Sequence, residues 1–524
     1  MKKLVIVAVV LAVVLLVTPF GIGKVAEKRL NAGLDKLIEQ APYLKITERT
    51  WSGGWFTSKQ TVTFELADNF AGAISEKVMG DILKQENVEA DAAMDAEGTE
   101  LQAMAEAEEA TGEAEAAADA DASENAAPAD VPADLPAELG KMSRFVVRND
   151  VLHGPLLGAS GVGLARVDTH LELSEDVRKK IAEVFGEKPA MEVTTRVSFF
   201  GGGTTTFKSE GRKLNIEDED VDFTYETFKM SVGLSRNADK YDIDGKLPSI
   251  VVKDGGEGTS FVLTDLTLDG DGERVVGELY DGDFAFKIKE VKYQGKGGAE
   301  ELMIQDAHYL VDTRTKNDYS DMAAKFGTGA VQSADIKQLG VEIKEIHYDF
   351  SLRHLHAPTL AKIVTGMRAM YTAPLVDPSK VDEAVFGPMK EHAGELLAHD
   401  PQFGIDRVGL VTPEGEIVAK GLIKLVGATP EDFSTAGGMG LIAKLDAEIT
   451  IEAAQKVLEK FPNGATMAGG AVDSGYAKRD GDKLVCHITF KAGELLINGK
   501  PQAIPGLGGP PPGAMDDSGM PPQE

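Results

Sequence analysis

At 524 residues the chain is long enough to bury sizeable cores, and its single cysteine, Cys486, excludes an intrachain disulfide framework and any multi-cysteine metal site. The formal charge of −31 is concentrated, because residues 85–140 hold 17 Asp and Glu with no Lys or Arg, which leaves −14 for everything else. No surplus of Lys and Arg is present to neutralise phosphates, which argues against nucleic-acid binding.

The amino terminus reads as a membrane element. Lys2 and Lys3 precede an apolar stretch, Leu4 to Ile22. As a helix at ~1.5 Å per residue it spans roughly 28 Å, close to the hydrocarbon thickness of a bilayer. A cleaved signal peptide is the competing reading, but its apolar region is shorter and no A-x-A-like site is present. Residues 1–23 are therefore expected to be one transmembrane helix, amino end inside, which leaves most of the chain outside the cytoplasm.

Residues 24–84 read as a stalk helix followed by the first strands. The helix covers 24–40 with Leu30, Leu34, Leu37 and Ile38 on one side, and Pro42 stops it. Val62, Phe64 and Leu66 then alternate as a strand, and Trp51 and Trp55 are expected to pack in the core or across strands. Residues 85–140 collapse to Ala, Glu and Asp. Like charge and the scarcity of large apolar side chains predict a disordered acidic insertion.

A β-rich body spans 141–350, with one helix near 174–185 and a Gly-broken helical stretch between 300 and 350. A spacing of apolar residues recurs there: Phe223 to Met230, Phe261 to Leu268, Phe286 to Tyr293 and Val341 to Tyr348, with a fifth copy, FGIDRVGL, at Phe403 to Leu410. Two apolar pairs flank a two-residue gap that would flip the side-chain phase of a strand. A β-bulge in each copy absorbs the extra residue and keeps both pairs on one face. Residues 351–505 read as an α+β continuation of the same body, with helices at 358–371, 378–399 and 452–461 and a closing hairpin, KLVCHITFKAGELLING. The tail 506–524 is Gly and Pro rich and reads as disordered. The fold class is β-rich α+β: an extended, curved, mostly antiparallel sheet with bulged strands and a few packing helices.

Several stretches together carry a resemblance: YLKITERTWSGGWFTS, VLHGPLLG, YDIDGKLP, GELYDGDFAFKIKEVKY, FSLRHLHAPTLAKI, FGIDRVGLVTPEGE and GDKLVCHITFKAGELLINGKP. They are spread in order over nearly the whole chain, which in them resembles the YdgA-like family of bacterial envelope proteins of uncharacterised function. The resemblance implies a single-pass inner-membrane protein with a periplasmic β-rich body. It implies no reaction, and the acidic insertion departs from the family pattern.

No catalytic signature stands out. Cys486 and His487 are adjacent in a strand and point to opposite faces, so they form no dyad. His354 and His356 share a strand face with Leu352 and Phe350 and are a candidate polar site, but spacing supplies no third metal ligand. His153, before Gly154-Pro155, fits a tight turn whose imidazole caps backbone groups and is the third candidate polar residue. Asp269-Gly-Asp271-Gly-Glu273 lacks the glycine and final glutamate of a calcium loop and reads as a hairpin turn. The acidic run Glu217 to Asp222 reads as a solvated turn. Gly201 to Gly203 opens no helix, which removes the geometry of a phosphate cradle. No catalytic residue, cofactor or metal is expected.

The expected function is that of a membrane-tethered, periplasmic, non-enzymatic envelope protein. The candidate apolar ligand surface comprises Phe223, Tyr225, Phe261, Leu263, Phe286, Ile288, Val341, Ile343, Phe403 and Ile405, and the ligand is apolar or lipid-like. The alternative is a structural or adaptor protein whose apolar sheet face is closed by helices as core and which acts through envelope protein partners. A metal-dependent hydrolase is the third reading.

Overall fold

In the computed structural model, the described residues are 23–66 without 29, 36, 37, 39, 40, 42 and 43, then 144–172, 179, and 190–502 without 217–220, 257, 297–300, 368–380 and 435–438. The expected anchor at 4–22, the acidic insertion and the tail lie outside them, as does the helix near 174–185 apart from residue 179, which is helical. Among the described residues no helix is long and apolar enough to cross a membrane.

Among the described residues, alternating apolar and polar stretches punctuated by turns form one antiparallel sheet of 23 strands. β1 (Leu44–Gly53) and β2 (Thr57–Leu66) make a hairpin, and β3 (Arg144–His153), β4 (Ala165–Glu172), β5 (Glu192–Val197) and β6 (Gly203–Ser209) add one beside the next. The small hairpin of β7 (Arg212–Ile216) and β8 (Val221–Tyr225) is followed by β9 (Phe228–Leu234), and β8 and β9 together flank the long β10 (Lys240–Asp254). β9 also pairs with β6, so the ladder is unbroken. β11 (Thr259–Val276), β12 (Leu279–Gln294), β13 (Glu301–Lys316) and β14 (Tyr319–Thr328) continue the meander, with β15 (Val331–Ser333) on the far end of β13. β16 (Glu345–His356), β17 (Gln402–Thr412), β18 (Gly415–Leu425) and β19 (Leu445–Ala454) come next. β20 (Lys478–Asp480) and β19 both pair with β21 (Lys483–Lys491), and β22 (Glu494–Ile497) and β23 (Lys500–Gln502) close the order. Among the described residues β1 and β23 each keep one unpaired edge, so the sheet is open rather than a barrel.

The bulge expectation holds in β17 and needs correction elsewhere. Opposite β18, Ile405 pairs with Gly421 and Val408 with Ala419, so Asp406 and Arg407 share one partner position, as a bulge requires. In the copies at 223–230, 261–268 and 286–293 the register does not shift. Leu266 pairs with both Leu247 and Ile288, Thr264 with both Ser249 and Glu290, and Ile288 and Glu290 with Ala307 and Gln305. The irregular residues Pro248, Asp265, Lys289 and Asp306 thus fall on one row, with the break between β8 and β9 beside them. When each neighbour carries its own irregular residue at the same level, no residue has to oppose two. Asp265 and Asp306 take left-handed backbone (φ 54 and 49), which aspartate tolerates better than most side chains. The copy at Val341 to Tyr348 is not a strand unit, since β16 begins only at Glu345 and Ile343 makes one isolated bridge to Val331.

The helices are short and peripheral. Residues 23–28 and 30–35 are helical and lie over the start of the sheet, where Ala26 and Leu30 pack with Val151, Ala165, Val167, Trp51 and Val197. α1 (Ala334–Gln338) precedes β16, and α2 (Ala357–Met367) and α3 (Val381–Leu397) form an antiparallel pair between β16 and β17. α2 rests on the β11–β12 hairpin, Ala357 and Ala361 against Leu279 and Val276. α4 (Pro430–Ser434) and α5 (Met439–Ile442) follow β18, and α6 (Gln455–Leu458) and α7 (Gly464–Asp473) follow β19. Of the helix expected at 452–461, Gln455–Leu458 forms as α6, while Glu452, Ala453 and Ala454 are the end of β19, held between β18 and β21. Where a Gly-broken helical stretch is expected between 300 and 350, the chain forms β14 and β15 and only the short helix α1. Asp269 to Glu273 is not a turn but the interior of β11, with Gly270 opposite Ile243 and Phe284.

Candidate functional site

Directly opposed residues in an antiparallel ladder share a face. Followed strand by strand, the ladders therefore define rows that cross the whole molecule. One row runs Val193, Phe207, Met230, Gly245, Leu268, Phe286, Tyr309, Phe326, Tyr348, Val408, Ala419, Ile451 and Cys486. The row beside it includes Val232, Ile243, Gly270, Phe284, Val311, Ala324, Phe350, Ile405, Gly421, Ile449 and Ile488. Both are apolar from β9 to β21. The row between them holds Ser231, Asp244, Asp269, Ala285 and Leu310, and the rows on either side carry the charge: Lys229, Lys246, Thr267, Lys287 and His308 oppose one another in turn, as do Asp242, Asp271, Asp283 and Asp312. One face of the sheet is apolar and the other is charged.

The interrupted row leaves the apolar face continuous. Around it, Lys246 bridges Asp265 at 2.9 Å, Glu290 accepts from Lys292 at 2.7 Å, and Lys289 lies close enough to lower the Asp265 and Glu290 carboxyls further, after their lysine partners. The charged groups from both sides of the break meet on one face, which leaves Leu263 and Val291 with Leu266 and Ile288 on the other. Phe223, Tyr225, Phe261 and Leu263 join this surface through Val252 and Ile250, and Phe403 and Ile405 join it through Leu352 and Phe350. Phe350 and Phe403 stack at 5.7 Å. Val341 and Ile343 do not belong to it; they sit in the connection before β16, with Val341 buried.

The apolar surface is not a closed core among the described residues. Of its members Leu263 is buried, most others are half-buried, and Tyr309, Phe326, Tyr348 and Leu352 are exposed. α2 packs on β11, β12 and β16, against the Val276–Leu279 turn at the end of β11 and β12, and α3 packs on α2 and α4. Gly245 and Gly270 lie flush in the face: a Cβ on Gly245 would touch Leu268 and Met230, and one on Gly270 would touch Phe284. Sequence reading missed the length of this surface and the part played by β9, β13, β14 and β18 to β21, whose plain alternation was a usable signal.

The same face changes character at β1 to β4. Its row becomes Trp51, Gln60, Asn149 and Thr169, and here the helical residues 23–28 and 30–35 cover it. Gln60, fully buried, accepts at Oε1 from Asn149 Nδ2 (2.9 Å) and donates through Nε2 to Asn31 Oδ1 (3.0 Å). Thr169 donates its hydroxyl to Asn149 Oδ1 at 2.8 Å. This buried chain of amides seats the helix on the sheet. Trp51 packs against the cluster as expected, whereas Trp55 lies half-exposed in the β1–β2 turn.

The candidate polar residues separate into two places. His153 is buried; Nδ1–H donates to the Trp55 carbonyl (3.1 Å) and Nε2 accepts from the Ser58 hydroxyl (2.9 Å), which uses both ring nitrogens in structure. His354 and His356 correct the expected strand parity. A register shift between Ser320 and Met322 bulges β16, so Leu352 and Leu355 share the apolar face and the histidines do not, and His354 has φ 58. The two meet Tyr319 and His399: His354 stacks on Tyr319 at 3.9 Å, and His356 stacks on His399 at 3.8 Å. Burial first, then His399, pushes the His356 imidazole below its ordinary value. Stacked rings do not converge their nitrogens on a point, and no group of three metal-ligating side chains is found among the described residues. Cys486 and His487 face opposite ways as expected, Cys486 opposite Ile451 and His487 bonded to Thr450 at 3.1 Å. A cavity of about 540 Å³ opens where β5, β6, β9, β10 and β11 end, lined by Arg196, Leu234, Lys240, Tyr241, Asp271 and Glu273 among others.

A family model described as a bacterial protein of unknown function (DUF945) matches residues 1–94 and 133–505. The chain belongs to this family. Residues 95–132, which the DUF945 pattern leaves unmatched, lie within the acidic segment, so the middle of the insertion is where this chain departs from its family. Comparison with curated proteins and with solved structures returns no match.

Proposed function

We propose that this DUF945 protein is a non-enzymatic envelope protein, tethered to the bacterial inner membrane by residues 4–22, whose sheet holds an apolar or lipid-like ligand in the periplasm. The observation that supports this is the apolar face itself. It crosses the sheet from β9 to β21 and stays half-exposed where the described helices could have covered it. Soluble proteins seldom expose contiguous apolar areas beyond a few hundred Å², and larger ones mark binding surfaces. An acyl chain laid on it gains ~0.8 kcal/mol per buried CH₂. That gain has to exceed the ordering and association cost of binding, which a face pre-formed by backbone hydrogen bonds keeps small.

Native mass spectrometry of the full chain, extracted in mild detergent, tests the reading. Lipid adducts are expected, and they should diminish when Phe286 and Phe350 are both replaced by glutamate while the strand signal in circular dichroism persists. A chain free of lipid from the outset, or adducts indifferent to those two substitutions, would leave the face as a surface for a protein partner.

A further inference from the structure

We propose that the hairpin end of β1 to β6 dips into the interfacial region of the lipid bilayer. Three neighbouring connections make this end: the β1–β2 turn, the β3–β4 link and the β5–β6 turn. Backbone bonds tie them together, from His153 N–H to the Phe56 carbonyl (2.7 Å), from Gly154 N–H to Leu164 (2.8 Å) and from Leu164 N–H to Val197 (2.8 Å). Their tips point apolar side chains outward. Phe200 is 89% exposed, Leu156 70% and Val162 62%, with Trp55, Phe56 and Phe199 about half-exposed beside them. Singly exposed apolar residues are ordinary, and Met467 and Leu171 at the opposite end of the strands are of that kind. Six on adjoining tips form a patch.

The occupant follows from where the chain enters. Gly23 sits directly on His153, so close that a Cβ there would stand 2.4 Å from the imidazole, and His153 lies between these connections. The apolar run Leu4 to Ile22 ends one residue earlier. A segment long enough to span the hydrocarbon thus joins the body at the patch, and tryptophan and phenylalanine are side chains that settle at the headgroup level. Oriented this way, the strands of the sheet rise from the membrane and the apolar face meets it edge-on. The inference rests on the tether in the proposed function.

The full chain in nanodiscs of phosphatidylethanolamine and phosphatidylglycerol provides the test. In a Cys486→Ser background, Phe200→Cys and Met467→Cys are each labelled with an environment-sensitive fluorophore; both sites are exposed, so neither label disturbs packing. Brominated acyl chains are expected to quench the probe at 200 at least twofold more than the probe at 467, with a blue-shifted emission at 200 alone. Equal quenching at both sites, or a water-like probe at 200 in a chain that has incorporated, overturns the proposal while sparing the tether. A chain that fails to incorporate overturns both.

Discussion

Single residues decide how the amino-terminal helix meets the sheet. Gln60, Asn149 and Asn31 satisfy one another in a place where the same row is apolar along the rest of the molecule. A buried amide left without its partner costs about 1–3 kcal/mol. Gln60→Leu should therefore lower stability by about that amount, because it orphans the Asn149 amine and Asn31, and it should release hydrogen-exchange protection at residues 23–35 before the rest. Urea denaturation with site-resolved exchange measures both. The alternation of Val62 and Phe64 made β2 legible in the sequence, and Gln60 shares their parity. Its partners lie 29 and 89 residues away, and nothing local in the sequence announces them. His153 was more readable, since Gly154-Pro155 demands a tight turn, and a side chain at 154 would strike the Gly163 carbonyl.

Elements were legible where alternation was long, unbroken in β21 and broken once in β11 and β12. The helix expected from 452 starts late: Glu452 and Ala453 favour helix by propensity, yet pairing on both sides keeps them in β19 and the helix begins only at Gln455. The repeated phase break was visible, but only neighbouring strands reveal that three copies break on a common row. The α2–α3 pair has its own local device. His356 ends β16 just before α2, His399 follows α3, and their rings stack. Because burial and His399 lower the His356 value, the folded state binds fewer protons there than the unfolded chain. That contribution is fully present above the ordinary histidine value of about 6.5 and is lost as pH falls through the lowered one. Glu395 and Asp318 oppose the shift and Lys362 reinforces it. Amide protection in α2 should drop between pH 7.5 and pH 5 in hydrogen exchange, and His356→Phe, which keeps a ring without the charge, should flatten the dependence.

At the scale of the molecule, nearly every ladder joins strands that are close in sequence, and the longest, β10 to β13, sit mid-sheet. Such a chain resembles a one-dimensional stack in which each unit is held by its neighbours. Hydrogen exchange should be graded, slowest in β10 to β13 and faster toward β1 and β23, with a broad thermal transition; one sharp transition with uniform protection would contradict this. The β-rich class was readable because each alternating stretch announces itself, whereas the open face was not, since exposure depends on what does not fold back. The two outer strands differ in kind. Asn498 and Gly499 close the β22–β23 hairpin as a two-residue turn, so Ile497 and Lys500 form its bonded pair and the nitrogen of Pro501 points outward without a hydrogen. β1 offers ten residues of ordinary backbone. Lengthening of this surface by a donated strand therefore has a direction: it can proceed beyond β1, and proline terminates it at β23.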